Sequence, residues 1–187
     1  MKNHFRADNS SVHVVDYDPE TGEVRSKQTA QGFANSSAWA RGQAWGVYGY
    51  TVCYRYTKDI KYLKQAEKIA DFIINYKGLP EDGIPYWDYN APNIPNEPRD
   101  VSAVTVTLSA LLELEQYSEN NYSNYIDKVF KSLASKNYTA KIGENNNFIL
   151  KHSVGSIPHN NEIDVPLNYA DYYYVEALMR KNELNNK

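Results

Sequence analysis

Apolar residues recur at helical spacing in several stretches of the chain. Ile60, Leu63, Ala66, Ile69, Ala70 and Ile73 form one stripe, with lysines and glutamate on the opposite face. That pattern predicts an amphipathic outer helix, capped by Asp59 and stopped by Gly78. Residues 121–135 repeat it, with Tyr122, Tyr125, Ile126, Val129, Phe130 and Leu133 turned inward. Between them, Val101, Val104, Leu108, Leu111, Leu112 and Leu114 follow Asp100, interrupted by Ser102, Thr105, Thr107 and Ser109 and almost free of charge before Glu113. A helix apolar nearly all round is an inner, buried one, and Asp100 is its expected N-cap. Two further inner helices are predicted. One runs from a cap cluster at Asn35, Ser36 and Ser37 to about Tyr56. The other is opened by Asp164 and Pro166 and runs from Leu167 to about Arg180, with Tyr169, Tyr172, Tyr173 and Leu178 as inner material.

The rest reads as strand and loop. Residues 11–18 alternate, meet the turn at Pro19 to Gly22, and return from Val24 as a short hairpin. Residues 79–99 carry five prolines and cannot be helix. An irregular stretch of that length is either a lid over a cleft or a wrap around the end of the helices. Residues 148–152 look strand-like, and residues 153–158 look like a turn. The helices therefore alternate inner, outer, inner, outer, inner, as stacked helical hairpins do in a closed toroid or an open solenoid. A tetratricopeptide array is excluded, because the proline-rich insertion breaks the 34-residue period that such repeats keep.

The first helix carries the candidate chemistry. Gly42, Gly46 and Gly49 share one face, and interior glycine costs about 1 kcal/mol against alanine. The expected reason is close approach of another backbone. Arg41, Trp45 and Tyr48 occupy the adjoining stripe. A guanidinium fork beside an indole face makes a clamp for an anionic ring-shaped ligand. The plain alternative is that the aromatics are core and Arg41 is paired with a buried carboxylate. His13, on the hairpin, has the same alternative: a histidine satisfied within the structure.

Composition narrows the classes. A net charge of −3 and a pI near 5.8 leave no basic stripe for nucleic acid. There is no apolar run long enough to span a membrane. The single cysteine, Cys53, is expected to be a small core residue and excludes an intrachain disulfide. Four scattered histidines make a metal site improbable. The 17 tyrosines suit both helix packing and wet, ring-shaped pockets such as those for sugars.

Four motifs then occur in order: Trp39-Ala-Arg-Gly-Gln-Ala-Trp45-Gly; Pro85-Tyr-Trp-Asp88 with Glu97-Pro-Arg-Asp100; Glu162-Ile-Asp164; and Tyr169-Ala-Asp-Tyr-Tyr-Tyr174-Val-Glu-Ala-Leu178. Together they resemble glycoside hydrolase family 88, the unsaturated glucuronyl hydrolases, and span nearly the whole chain. The resemblance implies an all-α (α/α)6 toroid, of which this chain is a partial one of five to six helices with a short N-terminal β-hairpin. All 187 residues would be the C-terminal portion of a single domain. The implied reaction removes a 4,5-unsaturated uronic acid from oligosaccharides left by polysaccharide lyases, without metal or organic cofactor. An aspartic acid protonates the C4=C5 vinyl ether, water adds at C5, and the hemiketal opens.

By the same resemblance, Arg41 would hold the uronate carboxylate and Trp45 would stack on the ring. His13 and Gln31 would hydrogen-bond its hydroxyls and enol ether region, and Ser153 and Ser156 would contact the neighbouring amino sugar. A lysine that some sulfate-accepting members carry is Pro158 here, which argues against a strong sulfate preference. The family's catalytic aspartates would lie upstream of Met1, and so would any export signal. Asp88, Asp100, Asp164 and Asp171 remain as carboxylates, two of them expected as helix caps. The chain is therefore expected to be inactive alone. It would act as a sugar-binding or partner-binding module, self-associate through open helix faces, or be completed in trans by an N-terminal half.

Overall fold

A computed structural model describes residues 1–186. The chain opens with an antiparallel hairpin, β1 (Val14–Tyr17) and β2 (Val24–Gln28), in the register Val14 opposite Gln28. Four helices follow: α1 (Ala40–Thr57), α2 (Ile60–Ile74), α3 (Val101–Leu114) and α4 (Ser123–Leu133). A second antiparallel pair, β3 (Ser153–Ser156) and β4 (Asn161–Val165), precedes α5 (Asn168–Asn185). Helix α3 lies between α1 and α5, while α2 backs α1 and α4 packs on α3. This inner and outer alternation is that of a partial (α/α) toroid. No described helix is long and apolar enough to cross a membrane.

The periodic stretches fold as their patterns demand, except that Ile60, at the first turn of α2, is exposed. Leu63, Ala66, Ile69, Ala70 and Ile73 of α2 are buried, and the Asp59 side chain accepts the Lys61 N–H as the cap. Helix α2 ends at Ile74, four residues before Gly78, with Asn75 as its C-cap. All six inward residues expected of α4 are buried. Every residue of α3 is buried, so its hydroxyls need internal partners. Thr105 and Thr107 return theirs to the carbonyls of Ser102 and Ala103. Ser109 donates to Glu176 on α5. Glu113 meets Arg180 at 2.8 Å and Arg55 at 3.3 Å, tying the far ends of α1, α3 and α5 together.

Several expectations need correction. Helix α1 starts at Ala40, and its N-cap, Trp39, makes no side-chain capping bond. The anticipated cap Ser37 instead donates its hydroxyl to Asp88 at 2.7 Å. The cause is the proline-rich segment, whose Trp87 carbonyl and Tyr89 N–H pair with Ala40 and Ala38 and impose extended backbone just before the helix. That segment is a wrap, with Tyr86, Trp87, Asp88 and Tyr89 all buried. The helix glycines do not admit another backbone. A Cβ on Gly42 would meet the Trp39 ring at 2.9 Å, one on Gly46 would meet Ile69 at 3.2 Å, and Gly49 faces open space. Cys53 is exposed.

Residues 148–152 form no strand beyond an isolated bridge between Leu150 and Thr139, and the expected turn at residues 153–158 contains β3. Asp164 sits in β4, paired with His152 at 2.6 Å, and caps no helix. On α5 the buried residues are Ala170, Tyr174 and Ala177. Tyr172, Val175, Leu178 and Met179 are exposed, so α5 buries a narrower face than an inner helix of a closed ring does.

Candidate functional site

A cavity of about 380 Å³ opens between the first turns of α1 and the residues preceding β1, lined among others by His13, Trp39, Gly42, Trp45 and Gly46. Its floor follows from the glycines. With no Cβ at Gly42, the Trp39 ring folds back over α1. The His13 imidazole then stacks on that ring, with centroids 4.3 Å apart and planes 25° from parallel. Trp45, 37% exposed, stands on the opposite side, held edge-on by Tyr173 at 5.2 Å and Tyr48 at 6.4 Å.

The protonation state of His13 is set by its neighbours. Its Nδ1 faces the backbone N–H groups of Ala30 (3.2 Å) and Gln31 (3.3 Å) and the Thr29 hydroxyl (3.1 Å). An atom receiving two N–H donors must be the bare nitrogen, so the neutral ring carries its proton on Nε2. That Nε2–H has no protein partner among the described residues. Burial pushes the His13 pKa below the usual histidine value, the nearby Arg41 cation pushes the same way, and Asp88 opposes them. The site thus keeps a neutral imidazole with one free donor beside two indole rings. Trp39, identified from sequence only as part of a motif, is the residue that joins the two sides. Its spacing to Gly42 and Gly46, three and seven residues, was the available signal.

A second group gathers around β3. Gln31 donates its side-chain amide to the Gly155 carbonyl at 2.9 Å. Arg41 was expected to open beside Trp45 and is instead 4% exposed. Its Nη1 bonds Asp100 (3.1 Å), the Ser102 hydroxyl (3.1 Å) and the Val154 carbonyl, and its Nη2 bonds the Gly155 carbonyl at 2.8 Å. The guanidinium also lies 4.7 Å from the Trp39 ring and 5.3 Å from that of Tyr169. The plain alternative therefore describes Arg41: its long side chain turns inward to a buried carboxylate. Ser153 and Ser156 are also more enclosed than expected, at 0% and 6% exposure. The Ser153 hydroxyl has no hydrogen-bond partner among the described residues, and Ser156 Oγ lies 2.7 Å from Nδ1 of the exposed His159.

The structure brings His13 and Trp45 to one cavity and Gln31, Arg41, Ser153 and Ser156 to the strand behind it. The Arg41–Trp39–His13 stack and the backbone of Gln31 connect the two.

The remaining carboxylates are engaged. Asp88 accepts from Phe33 N–H, Ser37 Oγ–H and Asn90 N–H. Asp171 accepts the N–H groups of Ile149 and Leu150. Asp100 caps α3 and pairs with Arg41. No Asp or Glu lines the His13–Trp45 cavity.

Known proteins share this fold. The crystal structure of an unsaturated glucuronyl hydrolase specific for heparin matches with a TM-score of 0.97 at 52% sequence identity, over 100% of this chain and 51% of that one. An unsaturated glucuronyl hydrolase of Formosa agariphila is 49% identical over 185 residues, covering 98% of this chain and 46% of the relative.

The chain belongs to the unsaturated glucuronyl hydrolase family.

An unsaturated chondroitin disaccharide hydrolase of Streptococcus agalactiae is 33% identical over 95% of this chain and 46% of its own. A variant of the unsaturated glucuronyl hydrolase from that organism, crystallised with dGlcA-GalNAc6S, matches with a TM-score of 0.81 at 34% identity, over 96% and 48% of the two chains. No family model matches. The chain spans about half the length of the curated relatives it matches, and the C-terminal half of these hydrolases fits it.

Proposed function

We propose that these residues form one wall of the pocket in which an unsaturated glucuronyl hydrolase receives the 4,5-unsaturated uronic acid of a lyase-generated, glycosaminoglycan-type oligosaccharide. The observation that carries this reading is the His13–Trp39–Trp45 cavity. An exposed indole offers a platform for a flat, half-planar sugar ring, and a neutral imidazole offers its free Nε2–H to a ring oxygen. Gln31 and Ser156 stand where the sugar chain continues along β3, of which Ser153 is the first residue, and Arg41 supports that strand from behind.

The chemistry assigned to the pocket is hydration of the C4=C5 vinyl ether. A proton goes to C4, hydroxide equivalent goes to C5, and the hemiketal opens to release the neighbouring sugar. The step needs a neutral carboxylic acid at hydrogen-bond reach of C4. The carboxylates of this wall are held in structural bonds, so the wall binds and orients while the proton comes from a facing part of the domain. The 187 residues would then be the C-terminal portion of one domain. The exposed stripe Tyr172, Val175 and Met179 on α5 favours completion by a second polypeptide surface over independent action.

Calorimetric titration with an unsaturated uronyl disaccharide tests the binding half of this reading. Trp45→Ala should weaken binding several-fold, about 1 kcal/mol for a lost aromatic contact. Robust loss of the disaccharide's ultraviolet absorbance with this chain alone would refute the other half, because a proton donor would then lie among the carboxylates assigned to structure.

A further inference from the structure

Asp100 is fully buried and has a bonding role wider than a helix cap. Its Oδ1 accepts the Ser102 N–H (3.1 Å), the Ser102 hydroxyl (2.5 Å) and the Val154 N–H (3.3 Å). Its Oδ2 accepts Arg41 Nη1. Arg41 in turn holds the carbonyls of Val154 and Gly155, and the Val101 N–H bonds the His152 carbonyl just before the strand. Strand β3 is therefore gripped through both the N–H and the C=O of Val154, by one acid on α3 and one base on α1. A short two-stranded sheet with a register irregularity between Ser153 and Val154 has little stiffness of its own. The buried pair supplies it. The same guanidinium lies against Trp39, on which His13 stacks.

We propose that Asp100 is a positioning residue for sugar binding: with Arg41 it fixes where β3 presents Ser156 relative to the His13–Trp45 cavity, without itself touching the ligand. This rests on the sugar-pocket reading above. It assigns to an ion pair between two helices the task of aligning the two halves of the site, the aromatic cavity and the serine strand. Gln31, which reaches Gly155 from the cavity side, reports on that alignment.

The variant to make is Asp100→Asn, because asparagine keeps the N-cap and the volume and removes the charge that attracts Arg41. Two measurements decide. In hydrogen exchange, the amides of residues 153–156 should lose protection at least tenfold in Asp100→Asn while those of β1 and β2 stay unchanged. Unaltered protection of residues 153–156 overturns the proposal without reference to any ligand. In calorimetric titration with an unsaturated uronyl disaccharide, Asp100→Asn should weaken binding at least fivefold. Combined with Ser156→Ala it should weaken binding little further, whereas combined with Trp45→Ala the losses should multiply. Losses that multiply with Ser156→Ala as well would show that Asp100 does not act through β3. If Trp45→Ala and Ser156→Ala bind as the wild type does, the sugar-pocket reading itself fails. If Trp45→Ala and Ser156→Ala alone weaken binding, that reading stands and the role of Asp100 falls.

Discussion

Replacing Arg41 by methionine distinguishes an inward arginine from a ligand-gripping one. In the structure both partners of the Arg41–Asp100 pair are sealed, with side chains 5% and 1% exposed. Methionine matches the aliphatic stem and leaves the Asp100 charge in the interior without its cation. Removing one partner of a buried pair typically costs about 3–5 kcal/mol. The Val154 carbonyl also loses its guanidinium donor, while Gly155 keeps the Gln31 amide. The lower end of the range already suffices for a clear test. With a urea dependence of about 2 kcal/mol per M, the unfolding midpoint should fall by roughly 1.5–2.5 M. The assay is urea unfolding followed by circular dichroism, run alongside Trp45→Ala, whose partly exposed side chain should cost far less. The Arg41→Met/Asp100→Asn double variant should recover part of the loss, since no charge is then stranded. A midpoint shift under about 0.5 M for Arg41→Met, with no coupling to Asp100, would refute the reasoning and return Arg41 to the open face of the site.

Three further outcomes are expected. The pKa of His13 is depressed, so the unfolded chain binds its proton more readily than the folded one. Its contribution to stability is therefore present above the usual histidine pKa of about 6.5 and lost as pH falls through the lower folded value. His13→Gln should flatten that part of the acid limb, and a histidine NMR titration should show a midpoint below 6.5. Gly155→Ala should destabilise the protein by about 1–3 kcal/mol, because the new methyl would lie 2.7 Å from Glu162 Cβ across the β3–β4 pair. Glu162→Gly in the same background should recover part of the loss if that contact is the cause. Met179→Lys should leave the unfolding free energy of the isolated chain within about 0.5 kcal/mol of wild type, since the residue is 60% exposed, and should reduce any self-association seen by sedimentation.

The elements whose signal is local were legible in the sequence. The α2 and α4 stripes, the charge-free run of α3, the Asp59 and Asp100 caps and the β1–β2 turn each specify their structure within a few residues, because helical period, capping and turn geometry are short-range. The family resemblance set His13, Gln31, Arg41 and Trp45 around one subsite; of these only His13 and Trp45 line one cavity, and its floor, the Trp39 ring, went unassigned. What tertiary structure alone decided depends on partners distant in sequence. The start of α1 moved because residues 87–89 pair with the chain ahead of it and draw Ser37 to Asp88. β3 formed in a stretch with turn-like composition by pairing with β4, and Arg41 and Asp100, distant in sequence, hold its backbone in place. Asp164 left its expected cap for His152. The direction taken by Arg41 was the largest such decision. The spacing of four residues put Arg41 and Trp45 on one helical stripe, but a side chain that long can turn either way. A carboxylate 59 residues away, buried at the head of another helix, determined which.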